Sequence, residues 1–469
     1  MQAFGIAEML KICMLAHDLK KKCIFAAQIK LSNTMKKMFF YLALCNLCFS
    51  ALGQGTAYIT KSYTFSGYSQ MIRQYNNNPG QHVVYFTDTI SGRKGYIGIT
   101  DIYNMIRYVQ ICHDCIIRDI DVFGDSAYFC GQTFANNSVF GWVDLITMTV
   151  YFDSSWGLTS LDNIEVYRDA TSNIRIVGYG KMVGLYIGFD YTVQTSSFWY
   201  YNLPYLPRDL TLTDNYSVFV GDCSPAGITD EIVIQPLQKN LAFPPSSYMP
   251  YNTYLLGTAT EEEPYKYHLR VVDIGNDYIA TLTHRYTNGS GIFNMVIREY
   301  DVSNTATDYD IPMTASYHSQ YSYSAIDFYD FQYDASNMTY TVLQNYEVSP
   351  SSYQDIVTRI DFSSGMPTSI YSDHLALPYQ VMKSMSLSDS AMYVVYGYDA
   401  TSKANVFWKD SQNSNVPGGC SNYDYMPFDV IPMTTPIIIE ENIVWRNMNL
   451  SPNPISAYTS SERILTICH

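Results

Sequence analysis

Ile117-Arg118-Asp119-Ile120-Asp121-Val122, then Gly124-Asp125-Ser126, then Ala127-Tyr128-Phe129-Cys130-Gly131, is the stretch whose reading decides the fold. Its first six residues alternate apolar and polar side chains with period two, as a strand with two different faces requires. Gly-Asp-Ser supplies turn chemistry. The next run is aromatic and β-favouring, and a third strand follows at Gly141-Trp142-Val143-Asp144.

The same order returns along the chain. Pro207-Arg208-Asp209-Leu210-Thr211-Leu212 precedes Ser217-Val218-Phe219-Val220-Gly221 and Glu231-Ile232-Val233-Ile234. Lys383-Ser384-Met385-Ser386-Leu387 precedes Met392-Tyr393-Val394-Val395 and Asn405-Val406-Phe407-Trp408. Weaker copies centre on Gln74, Asn163, Val271 and Asp330. The reference positions 74, 119, 163, 209, 271, 330 and 384 are then about 44 to 62 residues apart. A propeller blade of four strands takes roughly 40 to 50 residues, so the longer spacings imply inserted loops.

Units of this kind cannot bury their own faces and must stack. The expectation is an all-β, seven-bladed β-propeller of four-stranded antiparallel blades over residues 54–433. A pair of β-sandwiches competes by length alone, but lacks so regular a register. The strand-like run Thr56–Phe65 precedes the first repeat and is expected to pair with the last blade, closing the ring and removing open edges. In architecture the chain resembles divergent secreted bacterial seven-bladed β-propellers. The kelch double glycine and the Trp-Asp signature of WD40 blades are absent.

Residues 35–53 read as a signal peptide: Met35-Lys36-Lys37 is a basic start, an apolar run follows, and Ala51 and Gly53 mark a small-residue site before Gln54. The apolar run is short for a membrane span. Met35 then reads as the true start and residues 1–34 as a mis-called extension; an authentic extension is the alternative. Lipidation at Cys45 or Cys48 lacks a clean small-residue box. Residues 434–469 read as a C-terminal tail, and Ser451-Pro452-Asn453-Pro454 loosely resembles a C-terminal secretion signal. An exported location follows: periplasmic, outer-surface or secreted.

The chain has 469 residues, 44 of them Tyr, with 43 Asp and Glu against 28 Lys and Arg, a net charge of −15. Loss of residues 1–53 makes it more acidic still. Such a surface repels phosphate backbones, so anionic lipid is a poor partner and no nucleic-acid partner is expected. Six cysteines follow the cleavage site: 112, 115, 130, 223, 420 and 468. An even count in an exported chain suits disulfides. A Cys420–Cys468 bridge would pin the tail. Cys112-His113-Asp114-Cys115 has CxxC spacing but no second ligand pair for zinc; a local bridge, or pairing with Cys130 or Cys223, is the plainer reading.

First strands line a propeller's central channel. Their polar faces carry Asp119, Asp121, Asn163, Glu165, Asp209, Thr211, Asp273, Asp330, Gln332, Ser384 and Ser386. Carboxylates around one axis raise one another's pKa and attract cations. A cation or polyol site built on Asp119, Asp121, Glu165, Asp209, Asp273 and Asp330 is one expectation; a hydrated channel without ligand is the other. A basic residue stands just before the reference position in five of the seven repeats: Arg73, Arg118, Arg208, Arg270 and Lys383. Its parity places it with the apolar face at the strand entrance, pairing an acid of the next blade or forming an anion-binding ring.

No GxSxG, HExxH or phosphate-cradling loop is present. No metal or cofactor is expected. Scattered carboxylates leave a glycosidase pair open. Asp88-Thr89-Ile90, Asp125-Ser126-Ala127 and Asp389-Ser390-Ala391 resemble the acceptor of a bacterial periplasmic O-glycosylation system, with Thr89, Ser126 and Ser390 as acceptors; turn chemistry alone also places these residues there. The functional expectation is an exported, non-enzymatic binding module at the cell envelope. It would meet a glycan or protein partner through the Tyr-bearing loops around 238–266 and 302–323, without an integral membrane span. A carbohydrate-active hydrolase or lyase and a structural surface or adhesion protein are the alternatives.

Overall fold

Alternating runs with Gly and Asp at their ends leave an extended chain one way to satisfy its backbone donors, which is to pair with neighbours. The computed structural model is all-β and every pairing between its strands is antiparallel. The chain divides into two units, Met1–Gly55 and Thr56–His469. The structure describes the strands and short turns from Tyr58 to Cys468. Residues 1–57 lie outside the described residues, as do 67–70, 76–79, 88–93, 101–103, 155, 204, 224–230, 240–248, 257–263, 288–291, 304–310, 312, 320–325, 350–351, 363–368, 376–379, 389–391, 400–403, 412–420, 426–427, 431–436, 444–445, 450–452, 456–458, 464 and 469. The signal-peptide reading therefore lies outside them.

Strand β1 (Tyr58–Ser66) comes first. The first sheet holds β2 (Met71–Gln74), β3 (His82–Thr87), β4 (Lys94–Thr100) and β5 (Asn104–His113). The second holds β6 (Cys115–Phe123), β7 (Ser126–Thr133), β8 (Ser138–Asp144) and β9 (Thr149–Asp153). The third holds β10 (Ser160–Arg168), β11 (Ile174–Met182), β12 (Leu185–Thr192) and β13 (Ser197–Leu203). The fourth holds β14 (Leu206–Leu212), β15 (Tyr216–Cys223), β16 (Glu231–Gln238) and β17 (Met249–Leu256). The fifth holds β18 (Pro264–Gly275), β19 (Tyr278–Thr287), β20 (Ile292–Asp301) and β21 (Met313–Ser319). The sixth holds β22 (Ile326–Asp334), β23 (Thr339–Ser349), β24 (Ser352–Asp361) and β25 (Ser369–Leu375). The seventh holds β26 (Gln380–Ser388), β27 (Met392–Asp399) and β28 (Ala404–Ser411), with β1 as its fourth strand, Thr60 opposite Phe407.

Four strands per sheet were expected; each of the seven sheets has five. The fifth comes from the C-terminal segment, which contributes β29 (Ser421–Tyr425), β30 (Phe428–Val430), β31 (Ile437–Ile443), β32 (Arg446–Asn449), β33 (Asn453–Ile455), β34 (Thr459–Arg463) and β35 (Leu465–Cys468). The sequence boundary at 433/434 falls inside this run.

The first strands of consecutive sheets lie side by side, β2 by β6, β6 by β10, and so on to β26, which lies beside β2. The apolar cores sit between sheets. Val83 and Ile97 of the first sheet pack with Ile117, Ile120 and Phe129 of the second. Tyr128 and Phe140 meet Ile164, Phe189 and Phe198 of the third around the fully buried Trp156, whose ring lies 4.5 Å from that of Phe140. Equivalent clusters join the third to the fourth, the fourth to the fifth and the fifth to the sixth. Face-to-face packing of this kind explains why both faces of the second and third strands are apolar while the first strands alternate.

Five of the seven first strands carry a one-residue bulge at the same place. Register slips between Ile117 and Asp119, Leu161 and Asn163, Pro207 and Asp209, Phe328 and Asp330, and Met382 and Ser384. The residue opposite the start of the bulge is Gly131, Gly180, Gly221 or Gly397 in four of these. At Gly131 a Cβ would collide with the Ile116 carbonyl oxygen, and at Gly180 with that of Ser160. The glycine lets the bulged backbone come close, and the bulge turns the following polar side chain inward.

Candidate functional site

Beyond the bulge, the polar residues of the first strands hydrogen-bond from one sheet to the next. Asp119 Oδ1 accepts the N–H of Ile120 at 2.8 Å, and its Oδ2 accepts that of Ile164 in the third sheet at 3.1 Å. Two residues on, Asp121 repeats the motif with Val122 and Val166, both at 2.7 Å. Asp209 Oδ2 accepts the Val271 N–H at 2.9 Å, and Thr211 Oγ1 that of Asp273 at 3.2 Å. Asp330 accepts from Phe331 and from Met385, at 2.9 and 2.8 Å. Gln332 Oε1 accepts from Leu387 at 3.1 Å, and Ser384 Oγ from Ile72 of the first sheet at 3.3 Å.

These bonds fix the true equivalences and correct two of the sequence alignments. Ile72 and Val271 occupy the place of Ile120, so the reference positions are Met71 and Arg270, not Gln74 and Val271. Arg73 therefore stands where Asp121 and Glu165 stand, and Arg270 where Asp119 stands. Neither belongs to a ring of strand-entrance cations. Arg118, Arg208 and Lys383 do share one place, the bulge residue itself. Asp273 falls outside the group for the same reason. It is equivalent to Val122, and its charged neighbours are Asp214, Lys239 and Asp277.

Asp119, Asp121, Glu165, Asp209 and Asp330 remain, with Arg73 and Arg270 among them. Arg73 Nη2 donates to Asp119 Oδ1 at 2.9 Å, with the Asp119 side chain 10% exposed and that of Arg73 31%. Burial opposes the Arg73 charge, but Asp119, Asp330, Asp121 and Glu165 more than offset it and its pKa rises. Burial pushes Asp119 up to about 6 against the pull of Arg73 and the Ile164 N–H. It pushes Asp209 to about 6 against Arg270 and the Val271 N–H. Asp121 is raised by burial, and Glu165 well above the carboxylate range by burial and then by Asp121 and Asp119.

The arrangement stitches sheets together: a carboxylate that receives one N–H from its own strand and another from the next sheet satisfies two donors that no ladder reaches. Glu165 differs. Its carboxyl is governed by burial and by Asp121, Asp119 and Asp209 around it, and two residues earlier the Asn163 Oδ1 is buried without a partner among the described residues. Among the described residues no three His, Cys, Asp or Glu side chains are placed to hold a metal ion.

The remaining sequence candidates separate. Cys112 and Cys115 are bridged, with Cα atoms 6.1 Å apart, across the turn from the first sheet to the second; Cys130 is a buried thiol. Cys420 lies outside the described residues, as does the Cys468 side chain. Ser126 is half-buried at the start of β7, and Asp125 accepts the Tyr75 hydroxyl at 2.6 Å. Thr89 and Ser390 are outside the described residues, as are most of the loops at 238–266 and 302–323. Among the described residues, no helix is long and apolar enough to cross a membrane.

No family model and no curated protein matches the chain. Among solved structures it is similar to the β-propeller domain of the Trilobed protease from Pyrococcus furiosus, at 11% identity over 75% of this chain and 100% of that one, with a TM-score of 0.44.

Proposed function

We propose that the chain is an exported seven-bladed β-propeller, closed by β1, that serves as a binding module at the cell envelope. Side-by-side first strands from β2 to β26 and back support the ring. The polar residues along that ring support a scaffold role for it, since four of its five carboxylates are occupied with backbone donors. The observation that carries the binding role lies at the turns between second and third strands. Phe134, in the turn between the second and third strands of the second sheet, is 51% exposed. Val183 and Leu185, at the equivalent turn of the third sheet, are 83% and 52% exposed. Exposed apolar tips at equivalent turns of two neighbouring sheets fit a contact surface for a protein or glycan partner.

A photo-crosslinking residue at position 134 tests this in intact cells of the native host. The expected result is a discrete adduct that disappears in Val183→Asp/Leu185→Asp. No adduct, or one indifferent to that double change, refutes the surface.

A second reading, a carbohydrate-active hydrolase, draws on Glu165 alone. A buried carboxyl beside other carboxyls, with its pKa raised well above the ordinary range, has the character of a general acid. Turnover of a polysaccharide that is abolished by Glu165→Gln would favour it.

A further inference from the structure

The five-stranded sheets share a feature that no single repeat encodes. The outermost strand of every sheet comes from residues 421–468. β29 lies on β25 of the sixth sheet, β30 on β21 of the fifth and β31 on β17 of the fourth. β32 lies on β13 of the third, β33 on β9 of the second and β34 on β5 of the first. β35 finishes on β1 in the seventh. The segment thus visits the sheets in reverse order and skips none.

We propose that the outer edges of the seven sheets form one extended strand-binding site, occupied by the chain's own residues 421–468 as a segment laid down last and held by many weak ladders in series.

Three physical points carry this. The bonding is of backbone to backbone and antiparallel throughout, the mode by which an extended peptide adds to an exposed edge. Each ladder is short, with between three and seven residue pairs. One such strand alone is marginal in water. Linkers of one to six residues join the strands, so binding of one raises the effective concentration of the next. The order of assembly is also dictated. The acceptor for β35 is β1, which is itself an added strand on β28. Its outer edge belongs to the seventh sheet only once β1 has paired, so the end of the segment covers the seam and holds β1 between two neighbours. Without the segment, all seven sheets would present open edges, the standard template for self-association.

The test uses the full chain with a protease site placed within 412–420, cleaved after folding. The expected result is that fragment 421–469 co-elutes with the body on native gel filtration. A fluorescent peptide of residues 421–469 then exchanges into the cleaved protein, and a peptide of residues 437–443 competes at least ~100-fold less well. Loss of the fragment from a body with unchanged circular dichroism overturns the proposal, as does equal competition by the short peptide. A body that unfolds on cleavage also overturns it, because the segment would then be part of the scaffold. Hydrogen exchange on two uncleaved variants gives an independent reading. Thr466→Pro is expected to speed exchange in β1 at least 10-fold and leave β17 unchanged, and Ile438→Pro to do the reverse. Unchanged β1 exchange in Thr466→Pro contradicts the proposal.

Discussion

The Asp119 carboxylate and the Ile164 N–H belong to neighbouring sheets, 45 residues apart in the chain, and meet at 3.1 Å. Their contact fixes the height of one sheet against the next, and related contacts do so at Asp209 with Val271 and at Asp330 with Met385. An acid at this place is therefore first a structural acceptor.

Replacing it should destabilise the fold. Asp119→Ala removes an acceptor for two backbone donors and for Arg73. Unpaired buried donors cost about 1–3 kcal/mol each, and the Arg73 partner is part-exposed, so a total loss of about 2–4 kcal/mol is expected in urea unfolding. In a double-mutant cycle with Arg73→Met the two changes should be less than additive. Strict additivity would show that the pair does not interact.

The pH dependence has a definite sign. Asp119 and Asp209 titrate near 6 in the folded chain and near 3.9 when unfolded. Between about pH 4 and 6 the folded state binds more protons, so their contribution to stability falls as pH rises through that window and levels off above it. Each group accounts for on the order of 3 kcal/mol. Asp119→Asn should therefore show a shallower fall from pH 4 to 7 than the parent. Parallel curves would contradict the raised pKa.

The bulges make a sharper stability prediction. Gly131→Ala drives a methyl group into the Ile116 carbonyl, and overpacking against backbone costs about 3 kcal/mol or more. At Gly124 the φ is +59° with open space around it, so Gly124→Ala should cost only about 1 kcal/mol. Equal losses at the two glycines would show that the close approach opposite the bulge is not tight.

The Cys112–Cys115 bridge closes a very short loop, so chain entropy limits its contribution to about 2 kcal/mol. Cys112→Ser/Cys115→Ser should fold, with a loss no larger than that. Peptide mapping without reductant should find the two residues joined. A mapped Cys112–Cys130 pair would contradict the assignment.

Much of the architecture was legible because strand period and turn chemistry are local. Asp119, Asn163, Asp209, Asp330 and Ser384 could be aligned by eye, since each sits between an apolar neighbour and a bulge. Met71 could not. β2 is only four residues long, too short for its alternation to fix a register, and a centre at Gln74 lies three residues from the true place at Met71. The error hid the most informative residue of the site, because Arg73 occupies a place where other sheets carry acids. In the fifth sheet a centre at Val271 lies one residue from the true place at Arg270, which brings Asp273 into the group in error. Gly131, Gly180, Gly221 and Gly397 were visible as a repeated glycine, and that signal could have located the bulges. The outer strands were out of reach. Ile437-Ile438-Ile439 announces a strand, but nothing local says which sheet edge receives it.

The pairing of β1 with β28 is the most direct place to test the central claim, that the N-terminal strand completes the last of seven sheets. Thr60 faces Phe407 in that ladder. The measurement is oxidation of Thr60→Cys/Phe407→Cys, with Thr60→Cys/Val150→Cys as control, followed by mass analysis of the linked peptides. An intramolecular 60–407 link at monomer mass, absent from the control, is the predicted result. A folded monomer with no such link, or one linked equally in the control, would contradict it.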